Sequence, residues 1–71
     1  MKLPYKGMMI GTESERISNP YTGESVTLTP KAVAVYDTLK GAERMGLHRV
    51  VEQGLDWFKQ YYPAEYMVLL D

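Results

Sequence analysis

The chain has 71 residues, room for one small domain. It has no cysteine and one histidine, His48, which excludes disulfides, thiolate metal sites and multi-histidine metal sites within one chain. A net charge of −1 argues against a general nucleic-acid binder, whose footprint is a basic excess.

Hydrophobic residues make up 45% of the sequence, enough for a core. A domain this small buries only about 60% of its unfolded surface, so good packing or self-association must supply its stability. The opening residues, "MKLPYKGMMIGTE", carry a short apolar run between two glycines. A strand at Met8–Thr12 is balanced there against an irregular segment. Residues 1–14 are expected as a flexible or partner-ordered arm on a single domain spanning 1–71. Pro4, Lys6 and Gly7 interrupt any signal-peptide apolar core. No apolar run approaches the about 20 residues of a membrane span. The expected location is therefore cytoplasmic.

The stretch "ISNPYTGESVTLTP" carries the clearest local instructions. Asn19 suits the first position of a turn and Pro20 the second, because proline presets the required φ. Gly23 can take positive φ and close the connection. "SVTLT" alternates polar and apolar side chains with β-branched residues, the pattern of a half-buried strand. A hairpin of Glu15–Ser18 against Glu24–Leu28 follows, with Val26 and Leu28 facing inward. Thr29 can cap a helix with its hydroxyl, and Pro30 fits the first helical position.

That helix is expected to run to Met45. Ala32, Val35, Tyr36, Leu39 and Ala42 form its core-facing stripe. Gly41 reads as a close helix contact, and Gly46 as a left-handed C-cap. A second helix covers Leu47–Tyr62, with Leu47, Val50, Val51, Leu55, Phe58, Tyr61 and Tyr62 at helical spacing. Gly54 sits inside that stripe and reads as packing, whereas Trp57 falls to one side, half exposed. Pro63 ends the helix. The tail "PAEYMVLLD" is a third short helix or a strand, with helix favoured by its alanine, glutamate and leucines. Tyr66–Leu70 is a run of five apolar residues that must be buried in this core or against a partner.

The chemical motifs are sparse. "TGES", Thr22–Ser25, matches a catalytic loop of P-type ion pumps letter for letter, but the phosphorylated aspartate motif of those pumps is absent and the turn reading prevails. A phosphate-binding loop needs several glycines leading into a helix, and "NPYTGE" has one. His48 has no cysteine to pair with and reads as a helix-end residue near Glu52. Lys40, Arg44 and His48 are spaced four apart with Arg49 adjacent. On a continuous helix they would form a basic stripe able to meet nucleic acid or nucleotide phosphates. The aromatic group Trp57, Phe58, Tyr61, Tyr62 and Tyr66 is richer. Phe58, Tyr61 and Tyr62 read mainly as core. Trp and Tyr are enriched at interface hot spots, so the interface candidates are Trp57, Tyr61 and Tyr66, rimmed by Lys40 and Arg44.

"NPYTGESVTLTPKAVAVYDTLKGAE" and "GLDWFKQYYPAEYMVLLD" resemble small uncharacterised proteins of tailed bacteriophages. The resemblance covers residues 17–71. It implies a viral origin and location in the host cytoplasm or the virion, and it implies no activity or functional residue.

The sequence therefore predicts an α+β fold: a small N-terminal β-hairpin packed on an α-hairpin, with a short third C-terminal helix or strand. The expected function is a non-enzymatic protein–protein interaction module, a phage accessory protein that binds a host factor or a self-assembling subunit. No cofactor, metal or catalytic residue is expected. The alternative is a small nucleic-acid or nucleotide binder using the Lys/Arg helix face.

Overall fold

A computed structural model describes residues 1–71. Two strands lead into three helices: β1 (Glu15–Ser18), β2 (Ser25–Leu28), α1 (Pro30–Met45), α2 (His48–Tyr61) and α3 (Pro63–Leu69). The strands form one antiparallel hairpin, and α1 packs on α2, so the fold is α+β as the sequence patterns require.

The hairpin pairs Glu15 with Leu28 and Ile17 with Val26. Its turn closes when the Asn19 N–H donates to the Glu24 carbonyl at 2.7 Å and the Gly23 N–H donates to the Asn19 carbonyl at 2.9 Å. Gly23 takes φ 79°, a conformation that costs glycine little. Strand alternation then turns Ile17, Val26 and Leu28 to the helices, and Leu28 is fully buried.

Thr29 caps α1 as expected, its hydroxyl accepting from the Ala32 N–H at 3.3 Å. The same hydroxyl lies 2.8 Å from the Tyr62 hydroxyl, which ties the start of α1 to the end of α2. Ala32, Val35, Leu39 and Ala42 are buried, a stripe at three- and four-residue spacing. Gly46 ends the helix at φ 72°, while the Leu47 N–H reaches back to the Ala42 carbonyl at 2.9 Å.

The two long helices meet at Gly54. A methyl group there would lie 2.9 Å from both Cβ and Cδ2 of Leu39, and would also strike the Tyr5 hydroxyl. Gly41 does not have the expected role, because nothing lies within 4 Å of a Cβ placed on it. The tail is a helix, with Pro63 in its first turn. Leu69 is buried and Tyr66, Val68 and Leu70 are half-buried against the core. The run is not wholly covered, since Met67 stays 63% exposed.

Met8–Thr12 is not a strand. β1 pairs only with β2, so no neighbouring strand is present to hold it. Within residues 1–14, read from sequence as an arm, residues 2–8 are held by side chains, whereas residues 9–14 are exposed. Leu3, Tyr5 and Met8 pack on the core. The Tyr5 hydroxyl donates to the Val50 carbonyl at 2.5 Å, and the Trp57 indole N–H donates to the Lys2 carbonyl at 2.8 Å. Met9, just past this docked portion, is 94% exposed.

Candidate protein-interaction site

The five sequence-predicted interface residues do not share a face. Trp57 is 4% exposed and belongs to the core. Its ring sits 5.3 Å from Phe58 edge-on, 5.2 Å from Tyr62 and 5.7 Å from Tyr61. Its one polar atom is satisfied by Lys2, so little of the side chain is left to meet a partner. The helical spacing of α2 put Trp57 off the apolar stripe, but the leading segment covers that side of the helix.

Tyr61 is half-buried beside Trp57 and lines a shallow depression with Lys2, Leu3 and Pro4. Tyr66 is half-buried elsewhere on α3, with the Lys59 ammonium 5.3 Å from its ring centre. Lys40 is bonded to Glu43 at 3.2 Å and lies 5.9 Å from the Tyr36 ring centre. Arg44, His48 and Arg49 are exposed, but Gly46 breaks the helix between Arg44 and His48, so the continuous basic stripe does not form. His48 makes no hydrogen bond or ion pair with Glu52.

Lys40 does join a groove of about 320 Å³ between the hairpin turn, α1 and the end of α3. Its other walls include Pro20, Tyr21, Tyr36, Glu43 and Leu70. Tyr21 heads this groove and is 95% exposed, the barest large apolar side chain in the protein. Sequence reasoning missed Tyr21; it placed Tyr36 on the core-facing stripe and Leu70 in the apolar tail, and both do pack on the core while walling the groove. The available signal for Tyr21 was its place at the centre of a proline turn, beyond either strand and therefore beyond the reach of the core.

Asn19 builds this site. Beyond the two backbone bonds that close the turn, its side-chain oxygen accepts from the Tyr21 N–H at 2.8 Å. Its side-chain N–H donates to the Val68 carbonyl at 2.8 Å, satisfying an acceptor in the last turn of α3 that the helix itself cannot reach. One residue thus fixes the turn, the backbone of Tyr21 and the distance from the hairpin tip to α3. The Thr22 hydroxyl accepts from the Glu24 N–H at 3.2 Å and braces the far side of the turn. Tyr21 is therefore displayed on a bonded frame, which lowers the ordering cost of using it as a contact.

A second groove lies between residues 9–13 and the start of α1, walled by Glu13, Glu15 and Asp37 with Met9 and Val33. No cluster of acidic or histidine side chains in the chain is arranged to hold a metal ion. Tyr5 is a half-buried titrating group. Burial pushes its hydroxyl above the ordinary value, partly offset by the Gly54 backbone. Its bond to Val50 makes it a strut between the leading segment and α2. No helix is long and apolar enough to cross a membrane. Comparison with known proteins finds no matching family profile, no matching curated protein and no matching solved structure.

Proposed function

We propose that the protein is a non-enzymatic protein-binding module whose contact site is the groove headed by Tyr21. The observation that supports this reading most is the display of Tyr21, 95% exposed on a turn whose backbone is fixed by Asn19. Tyrosine offers a large contact area at small entropic cost, and it is over-represented among residues that carry binding energy. Tyr36 and Leu70 supply apolar floor beside it, and the Lys40–Glu43 pair supplies a polar rim. This is the usual division of an interface into an apolar centre and a charged edge. The likeness to small tailed-phage proteins extends the reading to an accessory protein that engages a host factor in an infected cell.

Quantitative affinity capture from cells expressing the protein tests this. Tyr21→Ala is compared with Lys31→Ala, an exposed control outside the groove. The reading expects captured proteins that are lost with Tyr21→Ala and retained with Lys31→Ala. Equal capture by both variants would refute the site. Recovery of DNA, RNA or nucleotide, removed by salt and by Arg44→Ala, would refute the protein-binding class.

A further inference from the structure

The outer edge of β1 is unpaired, and its phase is fixed. Asn19 donates across to Glu24, so by antiparallel alternation Ile17 faces Val26 and Glu15 faces Leu28 in the bonded pairs. The backbone groups of Arg16 and Ser18 then point away from β2. No hydrogen bond from the rest of the chain reaches them: residues 1–14 contribute no backbone–backbone bond, and the side-chain bonds lie elsewhere. Arg16 and Ser18 are both exposed. An open edge of this kind is a template for another strand.

The geometry points to a second copy of this chain as the occupant, the two β1 edges pairing antiparallel about Ile17 into a four-stranded sheet. The choice follows from register. Centring the pair on Arg16 would oppose two guanidinium groups, and centring it on Glu15 would oppose two carboxylates; like charges directly opposite are destabilising. Centring on Ile17 sets Arg16 against Ser18 of the other copy and Glu15 against its Asn19. It also matches the free groups, because the Arg16–Ser18 pairs are then the hydrogen-bonded ones. The two Ile17 side chains meet at the close, non-bonded position on the helix-facing side, where each is half-buried in the single chain. The edge is thus complementary to itself, as a two-fold contact requires.

Two strands of four residues make a small contact, so the dimer is weak and concentration-dependent. The two Arg16 side chains also lie on a diagonal across the new junction, about 7–8 Å apart at the backbone, which weakens it further. This inference does not rest on the Tyr21 groove, which lies at the hairpin tip.

Amide hydrogen exchange across a protein concentration series tests it. The Arg16 and Ser18 N–H groups are expected to gain protection as concentration rises, while the solvent-facing Thr22 N–H does not. Exchange at Arg16 and Ser18 that is independent of concentration would overturn the proposal. Sedimentation provides the second arm. Ser18→Pro removes an outward N–H, which an edge strand tolerates, and is expected to abolish the dimer. Arg16→Thr is expected to strengthen it, and Tyr21→Ala to leave it intact. A dimer that persists unchanged in Ser18→Pro, or is lost in Tyr21→Ala, places the contact elsewhere. Ile17→Cys fixes the register even if Ser18→Pro fails to fold. With no other cysteine in the chain, mild oxidation joins two copies at the close pair, faster than it joins Thr22→Cys at the hairpin tip. Equal oxidation rates would refute the Ile17-centred register.

Discussion

Gly54→Ala should destabilise the fold, although the position is helical and alanine is the better helix former. Propensity alone would stabilise by about 1 kcal/mol. The added methyl, however, meets Leu39 Cβ and Cδ2 at 2.9 Å and strikes the Tyr5 hydroxyl. Neither obstacle yields easily: Leu39 Cβ is fixed to the α1 backbone, and the Tyr5 hydroxyl is bonded to Val50. Overpacking of this kind costs about 1–3 kcal/mol, and losing the Tyr5 bond adds about 0.5–1.5 kcal/mol. The net expectation is a loss of about 2 kcal/mol, or a fall in Tm of about 10 °C for a domain of this size. Thermal and urea unfolding followed by far-UV circular dichroism measures it. Gly41→Ala is the matched control. Its Cβ meets nothing within 4 Å, so it should stabilise by up to about 1 kcal/mol. In a Tyr5→Phe background, which removes the obstructing oxygen, the penalty of Gly54→Ala should shrink. A Gly54→Ala protein as stable as Gly41→Ala would refute the close crossing of α1 and α2.

Other expectations follow from single contacts. Trp57→Ala should cost about 3–5 kcal/mol in urea unfolding, as a core residue does, whereas an interface role would leave the free protein nearly unchanged. Trp57→Phe keeps most of the packing but releases Lys2, so limited proteolysis at Lys2 and Lys6 should accelerate before global stability falls far. Asn19→Ala should lower stability by about 1–3 kcal/mol by orphaning the Val68 carbonyl and loosening the turn, read by faster amide exchange at Tyr21 and Gly23. Stability should fall at alkaline pH through Tyr5. Its folded hydroxyl ionises later than the unfolded one, so the contribution is complete below pH about 10 and is lost as pH rises through the raised folded value. Tyr5→Phe should remove this alkaline decline.

The hairpin and helix boundaries were legible because each is set by local chemistry. Asn19-Pro20 and Gly23 dictate the turn, Thr29-Pro30 starts α1, and Gly46 ends it at positive φ. These rules act within a few residues and do not depend on what packs where. The placement of Trp57 was not legible. Helical spacing says which residues share a face, but the leading segment that covers Trp57 is joined to it only by long-range contacts. Gly41 and Gly54 make the same point. Each is one glycine in a helix, and only the third dimension shows that one faces open space and the other Leu39. The groove depends on Asn19 reaching Val68 across 49 residues, a contact with no local signal.

The most direct test of the protein-binding reading is site-specific photo-crosslinking in cells. A photoreactive phenylalanine analogue replaces Tyr21 in one variant and Lys31 in another. The account predicts discrete protein adducts from position 21, suppressed when Asn19→Ala loosens the turn, and none from position 31. Adducts to nucleic acid, equal labelling from both positions, or no adduct from position 21 would contradict it.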